Sequence, residues 1–172
     1  MSGFVRFRGA SDLRQRLLYA TLAGRPVRVD GIRSESPEPG LRDYEACLLQ
    51  LLCAVTNGTQ VEVDDTGTKL KYRPGTVVGG RNIKFDCHPS RSLGYYLEVL
   101  VPLALFAKRP VEGMQLGGVT NDETDQSVDT WRMSTIPMLR RAVGEGKGED
   151  AAGPSGSAVV AGAFDVKGGR RG

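Results

Sequence analysis

Tyr72 to Arg109 reads YRPGTVVGGRNIKFDCHPSRSLGYYLEVLVPLALFAKR. Pro74-Gly75 and Gly79-Gly80 punctuate its start. The run Asn82 to Cys87 predicts a short strand, and the apolar stretch Leu93 to Ala107 predicts a buried helix. That stretch is shorter than the ~20 apolar residues needed to cross a bilayer, and it carries Glu98. Pro102 removes one backbone donor from the helix and predicts a kink there.

Upstream, Phe4, Val5 and Phe7 predict a strand ending at Gly9, after which Asp12 is placed to cap a helix with Leu13, Leu17, Ala20 and Thr21 at helical spacing. Val27 and Val29 alternate with Arg and Asp in a second strand. The turn SESPEPG leads to a second helix carrying Leu41, Tyr44, Leu48, Leu51, Leu52 and Val55 on one face, closed by Asn57-Gly58 as a left-handed cap. Val61 and Val63, the DDTGT turn, then Leu70 and Tyr72 form a hairpin pattern. The predicted order is β-α-β-α-β-β.

Downstream the same order begins again, with a strand at Val111 to Val119 and a helix at about Ser127 to Arg141, containing Pro137 and a core-facing Trp131. It then meets AVGEGKGEDAAGPSGSAVVAGAFDVKGGRRG, a composition too poor in apolar residues to offset the entropy of ordering it, with one weak strand near Ser157 to Val166. The expected fold class is α+β, built from repeated β-α-β-α-β-β units, each a small sheet with two helices on one face. The first unit is residues 1–78, an incomplete second is 79–143, and a mostly disordered Gly/Ala-rich tail is 144–172.

Over 172 residues, 40% apolar and 25% charged composition is that of a globular protein. The N-terminal MSGFVRFRGASDLRQR has arginines where a secretory signal needs an apolar core. Cys47, Cys53 and Cys87 have no disulfide or zinc spacing and read as buried free thiols. The net charge is only +3, yet Met1 to Arg33 holds arginines at 6, 8, 14, 16, 25, 28 and 33 against Asp12 and Asp30. Glu112 to Thr130 holds five acids and no base. Such polarity suits a basic surface that meets phosphate or an acidic partner. His88, the single histidine, sits in a Cys-His-Pro loop with no second ligand pair, so no metal is expected. Gly79-Gly80 and Gly117-Gly118 fit no phosphate-loop pattern and read as turns and bulges, and Asn121, Asp122 and Asp125 read as a solvated acidic loop.

Three segments together, GRPVRVDGIRSESPEPGLRDYEA (Gly24 to Ala46), the Tyr72 to Arg109 run and LGGVTND (Leu116 to Asp122), resemble the RNA 3'-terminal phosphate cyclases. The likeness is to the cyclase-like branch that acts in small-subunit ribosome assembly, over about the first unit and a half of that family's repeated fold. Catalytic members carry GEGGGQ and a Leu-Arg pair after the opening strand. Here the stretch is Gly9-Ala10-Ser11-Asp12-Leu13-Arg14-Gln15-Arg16. Gly9, Leu13 and Arg14 match. Side chains at 10 to 12 obstruct the approach of backbone N–H groups to phosphate, and Asp12 adds like charge. The family's adenylated histidine lies in a later region not present in these 172 residues.

The resemblance therefore implies a non-catalytic factor with no cofactor. It supports the early pre-rRNA cleavages of 18S maturation in the small-subunit processome, in the nucleolus. Its partners would be a ribosome-assembly GTPase, processome components and pre-rRNA, with no membrane. The alternatives are an ATP-dependent cyclase forming 2',3'-cyclic phosphate ends, or an rRNA endonuclease in a longer form. The tail's unlikeness to the family suggests a shortened or misassembled reading frame. The candidate RNA- or partner-binding residues are Arg6, Arg8, Arg14 and Arg16, since guanidinium groups contact phosphate or pair bidentately with carboxylate. No catalytic residue is expected.

Overall fold

The computed structural model describes residues 3–79, 82–108, 113–143 and 164–168. The chain divides into two compact units, Met1–Val77 and Val78–Gly172.

In the first unit the period-two pattern becomes strands and the period-3.6 pattern becomes helices, in the expected order. These are β1 (Val5–Arg8), α1 (Leu13–Ala23), β2 (Val27–Asp30), α2 (Asp43–Val55), β4 (Gln60–Val63) and β5 (Leu70–Arg73), with β3 (Thr56–Asn57) and β6 (Thr76–Val77) as a separate two-stranded ribbon. The main sheet runs β1-β2-β5-β4, with β1 and β2 parallel and the remaining neighbours antiparallel. Val27 pairs with Tyr72 and Val29 with Leu70, and all four are buried. They face Leu13, Leu17 and Leu18 of α1 and Leu48, Leu51 and Leu52 of α2, which are buried as well. Alternation thus delivers one apolar sheet face to two helices.

Several local expectations are corrected. Asp12 precedes α1 in a left-handed conformation (φ 51°) and makes no side-chain cap, because that backbone turns its carboxylate away from the first amides. The second helix ends at Val55 on an extended Thr56. Gly58, which is left-handed (φ 85°), turns the chain between β3 and β4 instead of capping the helix. Cys47 and Cys87 are buried, whereas Cys53 is exposed because it lies on the outer side of α2. The ribbon of β3 and β6 escaped the sequence pattern because two-residue strands carry no periodicity.

The second unit contains β7 (Lys84–Asp86), α3 (Leu93–Leu105) and β8 (Met114–Gly118). A helix over Val128–Val143 follows, in three continuous stretches: α4 (Val128–Thr130), a π turn (Trp131–Thr135) and α5 (Ile136–Val143). The π turn has Ile136 N–H donating to the Trp131 carbonyl, and it directly precedes Pro137, whose ring nitrogen has no hydrogen to donate. Pro102 lies inside α3. Gly117-Gly118 ends β8 as strand, not as a turn. Gly117 leaves room for the Asp86 carboxylate beside it. β9 (Phe164–Gly168) pairs in parallel with β8, which also pairs in parallel with β7. The weak strand expected near Ser157 to Val166 therefore lies slightly later, and the disorder expected for the rest of 144–172 falls outside the described residues. Trp131 and Val128 are buried, as their helical spacing required.

The acidic loop is not merely solvated. Asp122 Oδ2 accepts Ser92 N–H at 2.6 Å, while its Oδ1 accepts Thr124 N–H at 2.9 Å and Asp125 N–H at 2.6 Å. Asp125 holds Arg91 bidentately, Nε to Oδ2 at 2.6 Å and Nη2 to Oδ1 at 2.7 Å, with its side chain 4% exposed. Burial acts upward on the Asp122 carboxyl, but the three amides and the Arg91 charge outweigh it and hold the group below the usual aspartate value.

Candidate functional site

The residues of the glycine-rich motif fall where β1 runs into α1. Gly9 N–H donates to the Asp30 carbonyl at 2.9 Å, which fixes the end of β1 against β2. Gly9 is left-handed (φ 74°), and Arg16 N–H donates to the Asp12 carbonyl at 2.9 Å to open the helix. Arg16 Nη1 returns to donate to the Gly9 carbonyl at 3.0 Å, and its guanidinium lies 4.7 Å from the centre of the Phe7 ring. This cation thus braces the strand-to-helix turn.

A cleft of about 550 Å³ opens beside that turn, with Arg8, Ala10, Ser11, Arg33 and Ser36 among its lining. Arg33 is committed to Glu45 by a fork of two 2.7 Å hydrogen bonds. Glu45 also accepts Arg42 N–H at 2.8 Å. Side chains at 10 to 12 stand where a nucleotide-binding turn would present bare backbone, and Ser11 and Asp12 are exposed.

The four arginines singled out by sequence separate into two pairs. Arg6 and Arg8 are exposed and, by strand alternation, point away from the helices. Arg14 and Arg16 lie on α1, both half-buried. The structure brings three other cations to the side of Arg6 and Arg8, because Arg6 pairs with Arg28 across the sheet and Arg28 with Lys71, while Arg73 stands next along β5. Alternation within each strand was visible in the sequence, but the pairing that assembles this row was not.

His88 Nδ1 is 2.8 Å from Ser90 Oγ, a local loop contact. Among the described residues no group of three or more His, Cys, Asp or Glu is placed to hold a metal ion. None of the described helices is long and apolar enough to cross a membrane.

The family model for RNA 3'-terminal phosphate cyclase matches residues 5–149. The chain belongs to the RNA 3'-terminal phosphate cyclase family. Relatives within it include a probable RNA 3'-terminal phosphate cyclase-like protein of Arabidopsis thaliana, 48% identical over 136 residues, covering 79% of this chain and 36% of that protein. The RNA 3'-terminal phosphate cyclase-like protein of Homo sapiens is 46% identical over 137 residues, covering 80% of this chain and 36% of the human protein. The rRNA processing protein rcl1 of Schizosaccharomyces pombe is 43% identical over 136 residues, 79% of this chain and 37% of its own length. The chain spans little more than a third of the length of the curated relatives it matches. Its mixed α and β architecture with small sheets is that of this cyclase family.

Proposed function

We propose that this chain serves rRNA processing as part of a non-catalytic cyclase-like factor. It would support early cleavages toward 18S rRNA in the nucleolar small-subunit processome, with pre-rRNA and a ribosome-assembly GTPase as partners. One observation carries the non-catalytic reading: Ala10, Ser11 and Asp12 fill the strand-to-helix turn, and Arg16 occupies its carbonyl end. Bound triphosphate would have to reach the amides of the turn past three side chains that glycines lack. The names of the relatives, one of them an rRNA processing protein, support the wider role.

Incubation with ATP labelled in its α-phosphate and a 3'-phosphorylated RNA tests the first part. Neither protein-bound adenylate nor a cyclic end should form, and either product would overturn it. For the second part, tagged chain recovered from cells should enrich 18S precursors over mature rRNA. Equal recovery of both would remove the processing role.

A further inference from the structure

The four-stranded sheet of the first unit has one face under its helices and one face outward, and the outward face is built from cations around a single aromatic ring. Register defines it. Val5 pairs with Val27 and Val27 with Tyr72, so one step back Phe4 and Arg73 belong to the same cross-sheet row. The contact is made, with the Arg73 guanidinium 4.5 Å from the centre of the Phe4 ring. The next row on this face is Arg6, Arg28, Lys71 and Glu62, and Arg8 follows beside Asp30.

Neutralisation within the face is uneven. Arg28 Nε donates to both Asp30 oxygens at 3.0 and 2.9 Å, and Lys71 donates to Glu62 at 2.8 Å. Arg6, Arg8 and Arg73 are exposed and form no ion pair with a described carboxylate, although the Arg73 charge reaches Glu62. Arg6 and Arg8 stand two residues apart on one strand, roughly 6.6 Å along it. Arg73 lies against Phe4, so a cation and an aromatic ring stand together on this face.

We infer that this outward sheet face, through Phe4, Arg6, Arg8 and Arg73, binds single-stranded RNA. Arg6 and Arg8 hold backbone phosphates, and an unpaired base stacks on the guanidinium of Arg73. The assignment rests on the rRNA-processing reading above. Exposed guanidiniums alone would serve an acidic peptide equally well, but an aromatic ring with a guanidinium against it on an exposed sheet face offers unpaired bases a stacking surface that carboxylates do not use. Arg14 and Arg16, on the helix side, take no part.

The test uses the whole chain and a fluorescently labelled short single-stranded RNA of mixed sequence, with binding followed by anisotropy across a salt series. The triple substitution R6E/R8E/R73E should weaken binding by about tenfold or more. It should also flatten the plot of log affinity against log salt by about 1.4, from roughly 0.7 for each of the two lost phosphate contacts. The charge-matched triple R25E/R132E/R141E, at exposed sites outside this face, should change affinity less than about twofold. Phe4→Leu keeps every charge and should lower RNA affinity several-fold while leaving binding of polyglutamate unchanged. Unaltered circular dichroism secures the reading, and R6Q/R8Q/R73Q replaces the reversal if that variant unfolds.

Equal loss in both triples would overturn this face while leaving the processing role intact, since that role is read from recovered precursor. Displacement of RNA by polyglutamate at equal charge, with Phe4→Leu silent, would assign the face to an acidic protein and overturn the RNA inference. No binding of RNA by the unsubstituted chain at low salt would overturn it too.

Discussion

Tyr72 is fully buried against α1, with its hydroxyl 2.7 Å from Thr21 Oγ1. Thr21 spends its own proton on the Leu17 carbonyl at 2.7 Å, so Tyr72 is the donor between the two. Burial pushes the phenol up to about 12. In the unfolded chain the group ionises near 10. The folded state therefore holds its proton longer, and the associated stability is complete below about pH 10 and is lost as pH rises toward 12. Alkaline titration followed at the phenolate absorbance should include a late step near pH 12, and Tyr72→Phe should reduce its amplitude by one tyrosine. Arg33 and Glu45 form the other residue-scale device. Cutting the fork with Arg33→Ala leaves a carboxylate that is only 5% exposed in its side chain, and should cost about 3 kcal/mol by chemical denaturation.

Among the elements, α3 shows propensity and packing opposed. Gly94 lies in its first turn, where alanine would normally strengthen a helix by about 1 kcal/mol. A Cβ there would instead drive into the backbone carbonyl of Gln126, in the loop leading to the next helix. Gly94→Ala is expected to destabilise the second unit by about 2 kcal/mol, measured by urea unfolding. A gain would mean that the loop yields freely. The helix Val128–Val143 teaches a related lesson: its apolar spacing predicted a helix over nearly the right residues, yet the π turn before Pro137 could not be read, since it depends on which carbonyl each amide finds once Trp131 is buried.

At the scale of the whole molecule, the charge polarity along the chain resolves into two different uses. Two acids of the second unit are drawn into its structure, with Asp122 holding three amides and Asp125 holding Arg91, whereas Arg6, Arg8 and Arg73 of the first unit remain at the surface. Because the Asp122 carboxyl is held below its unfolded value, its stabilising effect is present above about pH 4 and is lost as pH falls through the folded value. Trp131 is the one tryptophan and lies in the second unit, so its fluorescence should report acid unfolding there. Asp122→Asn should lower the melting temperature at neutral pH and flatten its fall below pH 4. An unchanged acid limb would remove Asp122 from that role.

The periodicities of residues 4 to 72 were enough to determine the order of strands and helices and most of the core, because burial is a local alternation repeated along each segment, although Val63 is exposed and Leu41 and Tyr44 are only half-buried. The altered Gly9 to Asp12 motif was equally legible, being a matter of which residues have side chains. Tertiary structure alone decided that Arg16 turns back to the Gly9 carbonyl, that the acidic loop binds amides, and that Phe4, Arg6, Arg8 and Arg73 share one face. Those outcomes depend on strand register and on partners up to some seventy residues apart, and no periodicity within a single segment carries that information.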